Sequence, residues 1–200
     1  RRQRQMCIRD SHTSAHLLQA ALIKVLGDEV KQAGSQVEEN RMRFDFTFSR
    51  AMTPQEVKKT EDIMNKWIGE KLPVNTDVMG IEEAKLTGAT ALFGEKYEDV
   101  VRVVSIGGKA KCNCGSDCSC DHESGEEKEV ISKEFCAGTH ASNTADLRLV
   151  KIVSEGAIAA GTRRIEAVVA DAAIDYLNAK SAEIDKLASR FKVHFDEVES

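Results

Sequence analysis

Two short motifs, about 120 residues apart, place the strongest constraint on how this chain can fold. His12 and His16 form a His-x-x-x-His motif, and Cys136 and His140 form a Cys-x-x-x-His motif. Residues four apart lie on one face of a helix, so the first pair can bind a single ion. Thiolate and imidazole ligands suit Zn²⁺, and four of them complete a tetrahedron. The sequence therefore predicts that an N-terminal helix meets a loop located after residue 130.

Each motif has a simpler explanation when it is taken alone. Two histidines four residues apart arise by chance, and a buried cysteine beside an oriented core histidine would account for Cys136 and His140. The occurrence of both motifs in this order, with the sequences that surround them, favours a shared metal site.

The sequences around these motifs resemble the editing domain of alanyl-tRNA synthetases, from His12 to about residue 170. The matching stretches are His12-Thr-Ser-Ala-His16-Leu-Leu-Gln-Ala-Ala-Leu, Arg43-Phe-Asp-Phe46, Ala91-Leu-Phe-Gly-Glu-Lys-Tyr97, Cys136-Ala-Gly-Thr-His140 and Gly161-Thr-Arg-Arg-Ile-Glu-Ala167. Three features differ from the family pattern. Ala137 replaces a glycine, Ala15 stands where many relatives have a threonine, and a cysteine-rich insert interrupts the usual run.

The resemblance implies hydrolysis of the ester that joins serine or glycine to a mischarged alanine tRNA. It implies Zn²⁺ as the cofactor, bound by His12, His16, Cys136 and His140. A bound zinc ion could polarise the ester carbonyl, activate a water molecule or hold the substrate's amino group, and the sequence does not choose among these roles. In the full-length family member, ATP binding belongs to another part of the protein.

Selectivity for serine requires a hydrogen bond to its hydroxyl group, because a site built around that bond rejects alanine. The resemblance places Gln32 at the site, and Thr13 or Thr139 could add a hydroxyl. Arg163 and Arg164 follow a glycine-containing turn. They are either solvated charges at the end of a strand or, as the resemblance suggests, contacts to tRNA phosphate.

Residues 107–128 have an unusual composition, rich in cysteine, glycine, serine and aspartate. The candidate ligands of a second metal site lie in this insert: Cys112, Cys114, Cys118, Cys120 and His122. Four thiolates suffice for Zn²⁺. The alternatives are disulfides, which are disfavoured inside cells, and a surface insertion that has no function.

Residues 1–11 back-translate into a transposase-based sequencing adapter, so we expect them to be an artefact and the native sequence to begin abruptly at His12. The net charge is −5, and residues 1–11 contribute four arginines and one aspartate, so the remainder is more acidic still. Phosphate affinity comes from Lys and Arg, so binding to the alanine tRNA would need a local basic patch or other domains. No apolar run is long enough for a membrane span, and we expect a cytoplasmic protein.

Periodicity predicts an α+β fold, in which an antiparallel sheet packs against helices and a further helix follows. Helices are predicted from His12 to Leu26, from a Thr53 cap to about Lys71, and from Ile81 to Leu86. Strands are predicted at Arg41–Phe48, Pro73–Met79, Val100–Ile106, Leu147–Val153 and Thr162–Val169. Residues 12–170 would form the editing domain, and residues 171–200 a helix that leads into a truncated C-terminal region.

Two alternative functions remain open at this point. The chain could be a freestanding editing protein that acts on mischarged tRNA in trans. It could also be a non-enzymatic metal-binding protein whose cysteine-rich insert is the working part. The related editing modules of threonyl-tRNA synthetases share both metal motifs, but the stretches at Arg43–Phe46 and Gly161–Ala167 favour the alanyl family.

Overall fold

The computed structural model describes the backbone of residues 2–91, 97–109 and 128–192, with side chains from residue 8 onwards. The helices are α1 (Arg2–Leu26), α2 (Pro54–Gly69), α3 (Ile81–Leu86) and α4 (Asp171–Phe191), with a short 3₁₀ helix at Thr144–Leu147. The strands are β1 (Gln32–Glu38), β2 (Arg41–Thr47), β3 (Val74–Gly80), β4 (Val100–Gly108), β5 (Lys128–Phe135), β6 (Val150–Ala159) and β7 (Thr162–Val169).

These strands form two antiparallel sheets. The four-stranded sheet has the order β1-β2-β7-β6, and the three-stranded sheet has the order β3-β4-β5. The α+β class and the C-terminal helix predicted from the sequence are confirmed. The structure differs in dividing the strands between two sheets, and in adding β1 and β5 to the strands that were predicted.

The main core lies between the four-stranded sheet and the helices α1 and α2. Strand β2 alternates as predicted, with Met42, Phe44 and Phe46 fully buried on the face that the helices cover. Leu18 and Leu22 of α1 pack into the same cluster, since residues four apart share a helix face. The rigid attachment of α1 to this core fixes the positions of its two histidines.

Helix α2 begins at the predicted cap. The side chain of Thr53 accepts a hydrogen bond from the backbone nitrogen of Glu56 at 3.2 Å, and Glu56 Oε2 accepts one from the backbone nitrogen of Thr53 at 2.8 Å. This capping box satisfies two backbone donors at the helix end, and a cap of this kind contributes about 1 kcal/mol.

The three-stranded sheet carries a smaller second core, and its central strand is β4, which contains the strand predicted at Val100–Ile106. Val101 and Val103 of β4 pack with Phe135 of β5 and with Ala84 of α3. Strand β5 ends at Phe135 and leads directly into Cys136. The edge of this sheet therefore delivers the second metal-binding motif to α1.

Helix α1 starts ten residues earlier than the predicted start at His12, so that boundary was wrong. Residues 2–11 contain no glycine or proline and several good helix formers, so the helix can extend outward from its packed part. Strand β6 also starts later than predicted, because Thr144–Leu147 forms the 3₁₀ helix. That residues 1–11 are an adapter artefact stays a prediction.

No helix within the described residues is long and apolar enough to cross a bilayer. Residues 110–127, which contain all five candidate ligands of the predicted second metal site, lie outside the described residues. The same is true of residues 193–200, at the end of the predicted C-terminal helix.

Candidate metal centre

The structure brings the two distant motifs together. His12 and His16 project from α1, Cys136 directly follows β5, and His140 lies four residues further on. The candidate ligand atoms of these four side chains all lie within 4.8 Å of one another. Among the residues that the structure describes, this is the one group of histidine, cysteine and carboxylate side chains arranged to hold a metal ion.

The distances within the group match a tetrahedral zinc site. Cys136 Sγ lies 3.4 Å from Nε2 of His12 and 3.3 Å from Nε2 of His140. In a tetrahedron built from ordinary Zn–S and Zn–N bonds, sulfur and nitrogen lie about 3.6 Å apart. The side chains therefore need little movement to surround one ion. The donor set, one thiolate and three imidazoles, also suits Zn²⁺.

The loop after β5 is held close to α1 by backbone contacts and by a glycine. The backbone nitrogen of Cys136 donates to the carbonyl of Arg102 on β4 at 3.0 Å, and Arg102 Nη1 donates to the carbonyl of Ala137 at 3.1 Å. A Cβ atom at Gly138 would overlap the imidazole ring of His12. The structure thus explains why Gly138 matches the family motif, while Ala137, whose side chain is exposed, departs from it.

In two of the histidines, the ring nitrogen that faces away from the cluster contacts another side chain. Nδ1 of His16 lies 2.6 Å from Oε2 of Glu134, and both residues are buried. Nδ1 of His140 lies 3.3 Å from the hydroxyl of Thr13. These contacts leave Nε2 of each histidine directed toward the cluster. Ligating histidines commonly use their second ring nitrogen in this way, which fixes the ring orientation.

The electrostatics of the group favour a thiolate. Burial acts to raise the pKa of the Cys136 thiol, but hydrogen bonds from His12, His140 and His16 outweigh it and lower that pKa to about 3. Burial acts to lower the pKa of His16, but its hydrogen bonds to Cys136 and Glu134 raise that pKa to about 10. Burial lowers the pKa of His140. The cysteine is thus in the form that binds metals, and a metal would displace a proton from His16.

A cleft of about 680 Å³ opens beside this centre. Glu134 contributes to its wall, and so do Gln19 of α1 and Gln32 of β1. Ala20, Ile23, Val30 and Ile131 supply apolar surface, and Lys31 and Lys133 supply positive charge. The size and the mixed lining are typical of small-molecule sites. None of the four candidate ligands lines the cleft itself, and Glu134, which contacts His16, connects the cleft to the metal centre.

The predicted recognition residues occupy different environments. Gln32 lines the cleft, where its Nε2 donates to Ser35 Oγ at 3.0 Å. Thr139 is exposed in the loop. The Thr13 hydroxyl is buried, donates to the carbonyl of Arg9 at 2.9 Å and accepts from the backbone nitrogen of Ala141 at 3.0 Å. With its contact to His140, this hydroxyl has a full set of partners.

Gln19 and Glu134 were missed by the sequence reasoning. Gln19 is only 8% exposed, lines the cleft, and has an Oε1 atom with no hydrogen-bond partner among the described residues. It lies three residues after His16, so the helical repeat that identified the His12–His16 pair could also have indicated Gln19. Glu134 could have been found from its position two residues before Cys136 on a strand, where alternate side chains share a face.

The two predicted tRNA-contacting arginines are both paired within the four-stranded sheet. Arg163 forms two hydrogen bonds with Glu155, at 2.6 and 2.7 Å. Arg164 forms two with Asp45, at 2.7 and 2.8 Å. Successive side chains of a strand point to opposite faces, so the two guanidinium groups lie on different sides of the sheet. Contact of either one with tRNA stays a prediction.

Comparison with known proteins agrees with the family resemblance of the sequence motifs. Alanine–tRNA ligase from Synechococcus sp. (strain JA-3-3Ab) is 44% identical over 187 residues, which is 94% of this chain. The chloroplastic/mitochondrial alanine–tRNA ligase of Populus trichocarpa is also 44% identical over 187 residues. The chain is related to alanine–tRNA ligases. The resemblance inferred from its motifs is thereby confirmed.

The match covers a limited part of these alanine–tRNA ligases. The chain spans 19% of the length of the Synechococcus protein and 17% of that of the Populus protein. Residues 101–166 match the family described as the threonyl and alanyl tRNA synthetase second additional domain. This segment contains Cys136 and His140, while His12 and His16 precede it.

Proposed function

We propose that this chain hydrolyses the ester bond of mischarged alanine tRNA, releasing serine or glycine, as the proofreading part of an alanine–tRNA ligase. The observation that carries the proposal is the joining of His12, His16, Cys136 and His140 into one compact set of metal ligands beside a cleft. The relationship to alanine–tRNA ligases supports an aminoacyl-tRNA as the substrate.

The four side chains would hold Zn²⁺. A bound zinc ion would supply Lewis acidity to polarise an ester carbonyl or to activate a water molecule. The chain's own residues do the rest: Glu134 and Thr13 hold two of the histidines, and the cleft receives the end of the substrate.

Recognition of serine requires a polar group in the cleft. Gln32 and Gln19 both line the cleft, and the Oε1 atom of Gln19 has no hydrogen-bond partner in the part of the chain that the structure describes. A serine hydroxyl could satisfy such an acceptor, whereas alanine would leave it unpaired, and a difference of this kind gives strong discrimination. Lys31 and Lys133 at the same cleft could contact a tRNA phosphate, while Asp28 and Glu134 in the same lining balance their charge.

The proposal is tested by measuring the release of serine from serine-charged alanine tRNA by the 200-residue chain. We expect release to stop when a chelator removes the metal, and to return when zinc is added back. Alanine-charged alanine tRNA is the matched control substrate and should survive. If the chain binds one zinc ion per molecule but releases no serine, the metal site is structural and the proposed hydrolysis is wrong.

A further inference from the structure

Glu134 is not one of the four metal ligands, yet both of its carboxylate oxygens are used beside them. Its Oε2 lies 2.6 Å from Nδ1 of His16, and its Oε1 accepts a hydrogen bond from the Ser132 hydroxyl at 2.9 Å. Only 7% of Glu134 is exposed, and Ser132 is buried as well. A buried carboxylate with both oxygens engaged has one fixed orientation.

The regular geometry of two elements creates this arrangement. Side chains two residues apart on a strand point the same way, so β5 and the residue after it present Ser132, Glu134 and Cys136 in a row. Helix α1 presents His12, His16 and Gln19 along one face. The two rows face each other, so that Cys136 meets His12 and Glu134 meets His16.

The contact determines which nitrogen of His16 is available. Because Glu134 holds the proton on Nδ1, the proton that a metal would displace from His16 is the one on Nε2, which points away from the carboxylate. A rotation of the His16 ring away from Glu134 would turn Nε2 away from the other three candidate ligands. Glu134 therefore acts on the metal centre through His16.

A second, part-buried carboxylate shows what a purely structural role looks like. Glu61 on α2 bridges to β6, where it contacts Lys151 Nζ and the backbone nitrogen of Ile152, each at 2.8 Å. Like Glu134 it joins a helix to a strand and uses both oxygens. Unlike Glu134, it contacts no metal ligand through these bonds. Glu61 therefore contacts a lysine and a backbone nitrogen, whereas Glu134 contacts a candidate metal ligand.

We propose that Glu134 is a positioning residue that orients His16 for metal binding, and that Ser132 holds the Glu134 carboxylate in place. This inference rests on the metal site of the proposed function, and it does not depend on ester hydrolysis. A chain that binds zinc but has no deacylase activity would refute the proposed function and leave this inference open to its own test.

The test is to measure zinc affinity by competition with a chelating indicator, in Glu134→Ala, Glu134→Gln, Ser132→Ala and the control Glu61→Gln. We expect Glu134→Ala to weaken zinc binding about 10- to 100-fold. Glu134→Gln keeps an acceptor for the Nδ1 proton, so it should recover most of that loss. Ser132→Ala should weaken binding by less than Glu134→Ala, and Glu61→Gln should leave zinc affinity unchanged.

The absorption spectrum of the Co²⁺-substituted chain gives an independent reading of ligand geometry. It should change in Glu134→Ala and keep its native form in Glu134→Gln and Glu61→Gln. The inference is overturned if Glu134→Ala binds zinc within twofold of the unaltered chain, or if Glu134→Gln is as weak as Glu134→Ala. If Glu134→Ala does not fold, Glu134→Asp replaces it, because its shorter side chain withdraws the carboxylate from His16.

Discussion

Gly138 lies against the imidazole ring of His12 so closely that a Cβ atom would overlap the ring. The contact joins the loop after β5 to α1 at the point where the ligands meet. A glycine is needed here for space, and the adjacent Ala137 has its side chain exposed. The loop and α1 can thus approach this closely because Gly138 has no side chain.

Replacing Gly138 with alanine should therefore displace His12 and weaken metal binding. Ala137→Gly is the matched control, since it makes the inverse change one residue away at an exposed position. We expect Gly138→Ala to lose zinc at chelator concentrations that Ala137→Gly withstands, as measured by metal analysis after dialysis. Equal zinc retention by the two variants would contradict the close approach seen in the structure.

Cys136→Ala removes the only sulfur ligand of the candidate centre. Three histidines would remain, and zinc affinity should fall enough for the ion to be lost on dialysis, with serine release lost in parallel. The metal content of the purified chain and its deacylation rate check this directly. An unchanged metal content would show that Cys136 is not a ligand.

Most of the framework and the four-ligand set could be predicted from local sequence. The alternation in β2, the capping box at Thr53 and the boundaries of α3 follow from neighbouring residues, and the structure reproduces them. Within each motif the two candidate ligands could be paired because they lie one helical repeat apart, whereas the joining of the two motifs was inferred from their occurrence together and from the family resemblance. Local patterns of this kind are enough to predict the type of secondary structure and where it begins and ends.

The division into two sheets could not be predicted in this way. Strand β1 has the sequence Gln-Ala-Gly-Ser-Gln-Val-Glu, which lacks an apolar alternation, and it forms because it pairs with β2. The pairing of His16 with Glu134 spans 118 residues and depends on how α1 packs against β5. Non-local contacts of this kind depend on how distant segments pack against each other, and no single stretch of sequence determines that packing.

Replacing Gln19 with methionine should raise the stability of the chain and lower its activity. Within the described ranges, Oε1 of Gln19 is buried without a hydrogen-bond partner, which costs free energy, and an apolar side chain of similar shape removes that cost. We expect the free energy of unfolding in urea to rise by about 1 kcal/mol, while serine release falls. Gln36→Met is the control, because Gln36 is exposed and should change stability by less than about 0.5 kcal/mol. A less stable Gln19→Met variant would show that the amide has a structural partner.

Arg163→Ala should be more destabilising than Arg41→Ala, although each arginine pairs with a glutamate. The side chains of Arg163 and Glu155 are 13% and 10% exposed, so the substitution leaves a carboxylate unpaired in a mostly buried position. We expect a loss of roughly 3 kcal/mol. The Arg41 side chain is 55% exposed, and its loss should cost less than about 1 kcal/mol. Similar losses in urea unfolding would mean that water screens both pairs equally.

The Asp45–Arg164 pair should make stability depend on pH in acid. The hydrogen bonds from Arg164 lower the pKa of Asp45 in the folded chain, so folding favours the ionised carboxylate. The resulting stabilisation is fully present above the pKa of an unfolded aspartate, about 3.9, and is lost as the pH falls through the lower folded pKa. The difference in unfolding free energy between the unaltered chain and Asp45→Asn should therefore be constant above about pH 5.

Below about pH 4 that difference should shrink, because the aspartate becomes protonated and resembles the neutral variant. Urea unfolding of both chains, without added zinc and at a series of pH values, measures it. Other carboxylates titrate in the same range, but they contribute equally to the two chains and cancel in the difference. A difference that stayed constant down to about pH 2.5 would mean that Arg164 does not stabilise the ionised form of Asp45. In that case Arg164 would be free of its carboxylate partner and open to a phosphate.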